Sequence, residues 1–231
     1  MKRLSVVLTD VTEMSGDNVC IAGVDLASGR TVRLSDRTPT RRMLAGHGGL
    51  RPGDVVDVKF DPMRRPEAPH VEDGRWDHLT LHKARVMPFD ELHALLGRRA
   101  FRSVEEAFGR HAVMGRNGNH GWKRGTGARS LATLRATDVR ATLSRDTLRV
   151  EFTDGAGVTW TAAPFQDLAV KTHPASCEAC RCQHLPNVAA EFDAGEALLR
   201  IGLTREFAPS GGPGGCWLQV TNIIARPREH F

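Results

Sequence analysis

The stretch NVCIAGVDLASGRTVRLSD, residues 18–36, decides the fold. Residues 18–25 and 30–36 are two runs rich in apolar and β-branched side chains, and LASG between them supplies a turn, so they read as two paired strands. Working outward, RLSVVLTDVT at 3–12 is a third run of the same kind, separated by MSGD, which makes a three-strand meander. On the other side, TPTRRMLAGHGGLRPGD at 38–54 offers a short helix from Arg41 to Ala45 and then glycine and proline punctuation. After it, VVDVKFD at 55–61 alternates cleanly as a fourth strand, and LTLHKARV at 79–86 gives a fifth.

The remainder repeats this outline. Pro88, Phe89 and Asp90 open a helical pattern with Leu92, Leu95 and Leu96 on one face and Gly97 as its stop. Ser103 begins a second short helix, with Glu106 at capping-box spacing. Residues 109–130 show almost no apolar periodicity among many glycines and read as loop or linker. Strand patterns resume at 130–144, 146–154 and 158–164, followed by a brief helical piece, PFQDLAV, and a Cys/His-rich connector. The last two strands, LLRIGLTREF and CWLQVTNIIA, flank the turn APSGGPGG. Three strands, a connector with a little helix, then two more strands is the order of the OB-fold, a five-stranded, partly open Greek-key barrel. The expected fold is therefore mostly β with minor α: two OB-like barrels, residues 1–88 and 131–231, joined by a helical and then Gly/Arg-rich linker over 89–130. Periodicity supplies the strands alone, because five strands also make an open sheet.

The succession VCIAGVDLASGRTVRLS, LRPGDVVDVKFDP, PHVED, and LRIGLTREF followed by CWLQVTNI resembles a family of prokaryotic proteins described as having a dual OB-containing domain. The resemblance spans nearly the whole chain. It implies two OB-fold barrels and a nucleic-acid or nucleotide-like ligand, with no catalytic residues attached to that role.

Bulk properties narrow the class. With 231 residues, 40% hydrophobic and 26% charged, the chain can bury a real core. The basic start is interrupted by Asp10 and Glu13 after a short apolar run, too soon for a signal peptide, and no window reaches a membrane span. The cysteines are clustered or lie inside apolar runs, which is not a disulfide framework, so a reducing, cytoplasmic setting is expected. Cys20 and Cys216 read as small buried apolar groups. Charge is uneven: residues 96–145 hold eleven Lys and Arg against three Asp and Glu, whereas the flanks are near neutral or slightly acidic. Such a basic segment suits a phosphate-rich partner, or serves as a solubilising connector.

Four groups of residues are candidate sites. In HPASCEACRCQH, His173, Cys177, Cys180, Cys182 and His184 could complete a tetrahedral structural zinc set; the alternative is a reduced cysteine-rich loop without metal. In APHVEDGRW, His70, Glu72 and Asp73 could hold a divalent ion or act as acid and base, but a polar loop whose carboxylates accept backbone N–H groups, with Asp73-Gly74 as a turn, is the favoured reading. Around the third strand, Arg30, Arg33, Arg37, Arg41, Arg42 and Arg51 lie where OB-folds bind nucleic acid. In the linker, Arg116, Trp122, Lys123, Arg124 and Arg129 combine one aromatic ring with cations, suited to stacking a base beside held phosphates.

The expected function is a non-catalytic module that binds nucleic acid, single-stranded by preference, or a nucleotide-like ligand. Its basic surface would come from the first barrel and the linker. Two alternatives remain: a metal-dependent hydrolase using His70, Glu72 and Asp73 or the Cys/His connector, and an adaptor whose basic linker meets an acidic protein. No G-x-S-x-G, H-E-x-x-H, G-x-G-x-x-G or phosphate-loop motif occurs.

Overall fold

The computed structural model describes residues 1–110, 113–115, 118–144, 147–172, 194–209 and 212–225. Strands β1 (Lys2–Glu13), β2 (Val19–Asp25), β3 (Thr31–Leu34), β4 (Asp54–Pro62) and β5 (Asp73–Val86) close into a barrel in the order β1-β2-β3-β5-β4. β1 runs antiparallel to β2 and β4, and the closing pair β3 and β5 is parallel through Arg33↔Asp73 and Leu34↔Gly74. Alternate residues point inward: Val6, Leu8, Ile21, Val32, Leu34, Val56, Val58 and Phe60 form one buried cluster. Each such side chain contributes about 1.5–3 kcal/mol when buried, and a one-residue slip would turn the whole set outward, so the alternation fixes the register. Helix α1 (Arg41–Gly46) closes one end with Leu44, its first turn held by Thr40 Oγ1, which accepts from the Met43 N–H at 3.2 Å.

β5 begins at Asp73, six residues before the strand expected from sequence. Asp73-Gly74 is part of the barrel and not a turn, because Gly74 is needed at the β3–β5 closure. A Cβ there would lie 2.0 Å from Phe60 Cζ.

Helices α2 (Phe89–Gly97) and α3 (Val104–Phe108) lead into the second half. Ser103 caps α3, accepting from Glu106 N–H at 3.1 Å, while the Glu106 carboxylate accepts from Arg102 N–H. Then come β6 (Val113–Met114), β7 (His120–Trp122), β8 (Leu131–Ser144), β9 (Thr147–Asp154), β10 (Thr159–Pro164), α4 (Leu168–Thr172), β11 (Ala194–Leu203) and β12 (Cys216–Ile224). Their sheet order is β10-β9-β8-β11-β12-β7-β6. The first five places repeat the neighbours of the first barrel, with β8 to β12 standing for β1 to β5. Closure between the third and fifth strands is reduced to one parallel bridge, Phe165↔Val220, so this sheet is a curled half-barrel.

The linker expected over 109–130 is partly sheet. β6 and β7 form a hairpin whose inner strand pairs with β12 through Cys216↔Trp122 and Trp217↔Gly121. Strands of two and three residues carry no readable period, and glycine between them looked like loop.

The halves share an apolar seam in which Val7, Val24 and Val55 of the first barrel meet Leu92 and Leu96 of α2 and Leu198 and Ile224 of the second half. A buried polar knot crosses the same boundary, where Arg200 on β11 donates to Asp10 on β1 at 2.6 Å and to Thr133 at 3.0 Å. Among the described residues no helix is long and apolar enough to cross a membrane.

Candidate nucleic-acid interface

A cleft of about 690 Å³ opens between the two halves, bordered by Arg30, Arg99 and Arg129. The first wall is the β2–β3 turn. Asp25 organises it by accepting from Ser28 Oγ at 2.5 Å and Ser28 N–H at 3.1 Å, while the Arg30 carbonyl accepts from Asp25 N–H at 2.9 Å. Gly29 has φ +66°, and a Cβ on it would fall 1.7 Å from an Arg99 guanidinium nitrogen. A glycine here therefore serves both the turn and the approach of Arg99, which follows α2, toward Arg30.

The opposite wall carries Arg129, whose guanidinium carbon lies 4.4 Å from the Phe101 ring centroid. Phe101 is fixed between Thr133 and Arg135 by backbone hydrogen bonds of 2.8 and 3.1 Å. Next to Arg129, Ser130 and Leu131 are anchored by Glu72: its carboxylate accepts from Ser130 N–H at 2.9 Å, Ser130 Oγ at 2.9 Å and Leu131 N–H at 3.1 Å. Arg30, Arg99 and Arg129 form no ion pair with any described residue, and Arg129 Nε is buried without a hydrogen-bond partner. Guanidinium groups without ion-pair partners around a concavity concentrate positive potential there, offset in part by Glu72, whose carboxylate lines the same cleft and accepts from neutral donors.

The outer face of β3 is built differently from the expectation. Arg33 is 6% exposed, donating through Nε to Asp73 at 2.6 Å and lying 2.9 Å from His70 Nδ1. Asp73 also accepts from Arg205, which reaches over from the second half. Arg33 is thus internal wiring between the halves and presents nothing to a ligand. Burial, with Arg33 and Arg205 alongside, pushes the His70 imidazole down to about 3. It stays neutral and accepts from Arg33. His70 and Asp73 meet on Arg33, whereas the Glu72 carboxylate is directed at Ser130 and Leu131, and both carboxylates are occupied by donors from the protein. Among the described residues no group of three or more His, Cys, Asp and Glu could hold a metal ion.

Several other expected contacts are also accounted for locally. Trp122 is 1% exposed, its indole N–H donating to Gly109 O at 3.0 Å and its ring stacked on Trp160, so it is a core residue and offers no face to a base. Arg41 pairs with Glu13 at 2.5 Å, and Arg124 pairs with Glu67 and Glu206. Arg37 is exposed beside His78, with 3.4 Å between Nη1 and Nδ1, and Arg42, Arg51 and Lys123 are exposed. Arg116 and the connector residues His173, Cys177, Cys180, Cys182 and His184 lie outside the described residues. Sequence reading missed Arg99 and Phe101. The Arg98-Arg99 pair after Gly97 was a signal, but it looked like the end of a helix.

With this arrangement established, comparison supplies a relationship. The dual OB-containing domain family matches residues 5–223. This chain belongs to that family. Its two OB-like halves are the two barrels the family's description refers to, one closed and one curled open. No curated protein matches the chain. Among solved structures, a murine DNA-binding protein bound with double-stranded DNA is similar at 11% identity and TM-score 0.32, over 95% of this chain and 93% of that one. A likeness at that score carries no argument about the ligand of the dual OB protein.

Proposed function

We propose that this dual OB protein binds nucleic acid, single strands in preference to duplexes, with its phosphates held by Arg30, Arg99 and Arg129. The observation that supports this most is that these three guanidinium groups border one cleft without a carboxylate partner, while Arg33, Arg41 and Arg124 are neutralised internally. The cleft volume, about 690 Å³, lies in the range of pockets that enclose one small ligand and suits a stretch of unpaired strand. The Arg129 guanidinium, stacked on Phe101, has a second face on which a base can lie. Arg37, Arg42, Arg51 and Lys123 extend the basic surface outward.

The test is fluorescence anisotropy of labelled single-stranded DNA and RNA at about 50 and about 200 mM salt. Three phosphate contacts on a single strand give a log–log slope of about −2, which is about a 20-fold loss over that interval. The variant Arg30→Ala/Arg99→Ala/Arg129→Ala should flatten the slope toward zero. Absence of binding to either strand at the lower salt overturns the reading. Co-purification of an acidic protein that these same substitutions release would favour the adaptor alternative.

A further inference from the structure

The two halves carry the same outer face in different states. In the first barrel, the face made by the second, third and fifth strands is filled: Arg33, His70 and Asp73 lie on it and Arg205 closes it from the other half. In the second half, the corresponding strands are β9, β10 and β12, and there a cavity of about 480 Å³ is open. Most of its strand residues alternate with the core: Leu148, Val150, Ala163 and Val220 face inward, whereas Arg149, Pro164, Trp217 and Gln219 border the cavity, together with part of the buried Leu218.

The chemistry of the walls differs from that of the arginine cleft. Pro164, Pro209 and Pro213 supply flat apolar surface, and Phe207, half exposed at 50%, stands edge-on to Trp217 with ring centroids 6.4 Å apart. Trp217 Nε1 donates to the Phe207 carbonyl at 3.0 Å, which fixes the loop carrying Phe207. Among the described lining residues Arg149 is the single cation, so a phosphate is served much less well here than at the arginine cleft. Gln219 contributes an amide that no described residue engages, with a donor and an acceptor side by side. Flat apolar walls with a free carboxamide match a planar, uncharged heterocycle: the ring meets proline and phenylalanine, and its edge meets the paired donor and acceptor of glutamine. An extended peptide fits less well, because its alternating carbonyl and N–H groups need partners along its whole length, and the Trp217 indole N–H is already committed.

We infer that this face of the second half is a nucleobase pocket, taking one unstacked base of a single strand. The inference rests on the nucleic-acid reading above but uses different residues and a different part of the ligand. It assigns Phe207 as the stacking residue and Gln219 as the edge-reading residue.

Two measurements test it. First, the full chain with labelled Gln and Phe is titrated with adenosine, which has no phosphate, and followed by NMR. Shifts at Gln219 and Phe207 that are lost in Phe207→Ala are the expected result. Second, affinities are compared for an oligonucleotide and an abasic strand of the same length. Phe207→Ala should weaken the first about tenfold, leave the second within about twofold, and keep the salt slope. Phe207 is exposed and its carbonyl does the structural work, so the variant should fold; Gln219→Ala, with an intermediate loss, is the independent check. No adenosine shift together with unchanged oligonucleotide affinity in both variants overturns the inference, as does displacement of adenosine by a proline-rich peptide that binds more tightly. If the triple arginine variant leaves binding unchanged while Phe207→Ala still weakens it, the arginine cleft fails and the base pocket stands.

Discussion

Replacing Arg200 by methionine should uncouple the two halves at a cost far above that of an ordinary surface change. Arg200 and Asp10 side chains are each 2% exposed. The guanidinium donates twice to Asp10 Oδ2, at 2.6 and 3.1 Å, and once to Thr133 Oγ1 at 3.0 Å. Asp10 also accepts from Thr221 Oγ1 at 2.5 Å and Thr9 Oγ1 at 2.7 Å. Those hydroxyls soften the loss of the cation but cannot neutralise a buried carboxylate, so Arg200→Met should cost about 3–5 kcal/mol, the usual penalty for stranding one member of a buried pair. That is a large share of a typical domain's stability of about 5–15 kcal/mol. The double variant Asp10→Leu/Arg200→Met removes both charges, and should recover at least about 2 kcal/mol relative to the single. Urea unfolding followed by tryptophan fluorescence is the assay: Trp76 lies in the first barrel and Trp122, Trp160 and Trp217 in the second, so loss of coupling also splits the transition. Additive costs in the double variant, with a single unchanged transition throughout, would refute the claim that this ion pair joins the halves.

Two further expectations follow, one from the structure and one from the sequence. His70 falls from its ordinary value to about 3 in the folded state, so below about pH 6.5 the unfolded chain takes up a proton that the folded chain refuses. Stability due to this group is full above that pH and decreases by about 1.4 kcal/mol per unit between 6.5 and 3; from pH 7 to pH 5 the protein should lose about 2 kcal/mol more than His70→Gln, measured by urea midpoints at the two pH values. The connector with His173, Cys177, Cys180, Cys182 and His184 should retain roughly one zinc ion per chain by elemental analysis, and Cys177→Ser/Cys180→Ser should release it; metal-free protein of unchanged stability would assign those residues to a reduced loop instead.

Most of the architecture was readable because it follows from local alternation. Val6 and Leu8, Val32 and Leu34, and Val56 and Val58 each announce one buried face, and repetition of three strands, helix and two strands announces the second unit. The β6–β7 hairpin was not readable, since Val113-Met114 and Trp122 are short apolar pieces set among glycines and β12, the other partner of β7, pairs with it from as far along the chain as Cys216. The site was less legible than the fold for a related reason. Arg33 alternates with Val32 and Leu34 and does point out of its barrel, as the pattern requires, but what lies outside that barrel is the other half of the same chain.

Duplication explains why an arginine expected on an open face lies inside the molecule. A barrel standing alone would expose the outer face of its third strand, and cations there would meet solvent or a partner. Once two barrels pack, one such face becomes an interior, and a cation on it must find an anion or be lost. Asp73 and Arg205 meet that requirement, with Asp73 joining the cations of both halves. Three of the cations without an ion pair among the described residues are gathered by the junction itself: Arg30 on a turn, Arg99 after a helix and Arg129 ahead of β8 come from three separate segments and border one cleft where the halves pack. A cleft of that origin belongs to neither barrel, so a fragment holding the first barrel alone retains Arg30 but loses its neighbours, and on the proposed reading it should lose the salt-dependent part of binding with them.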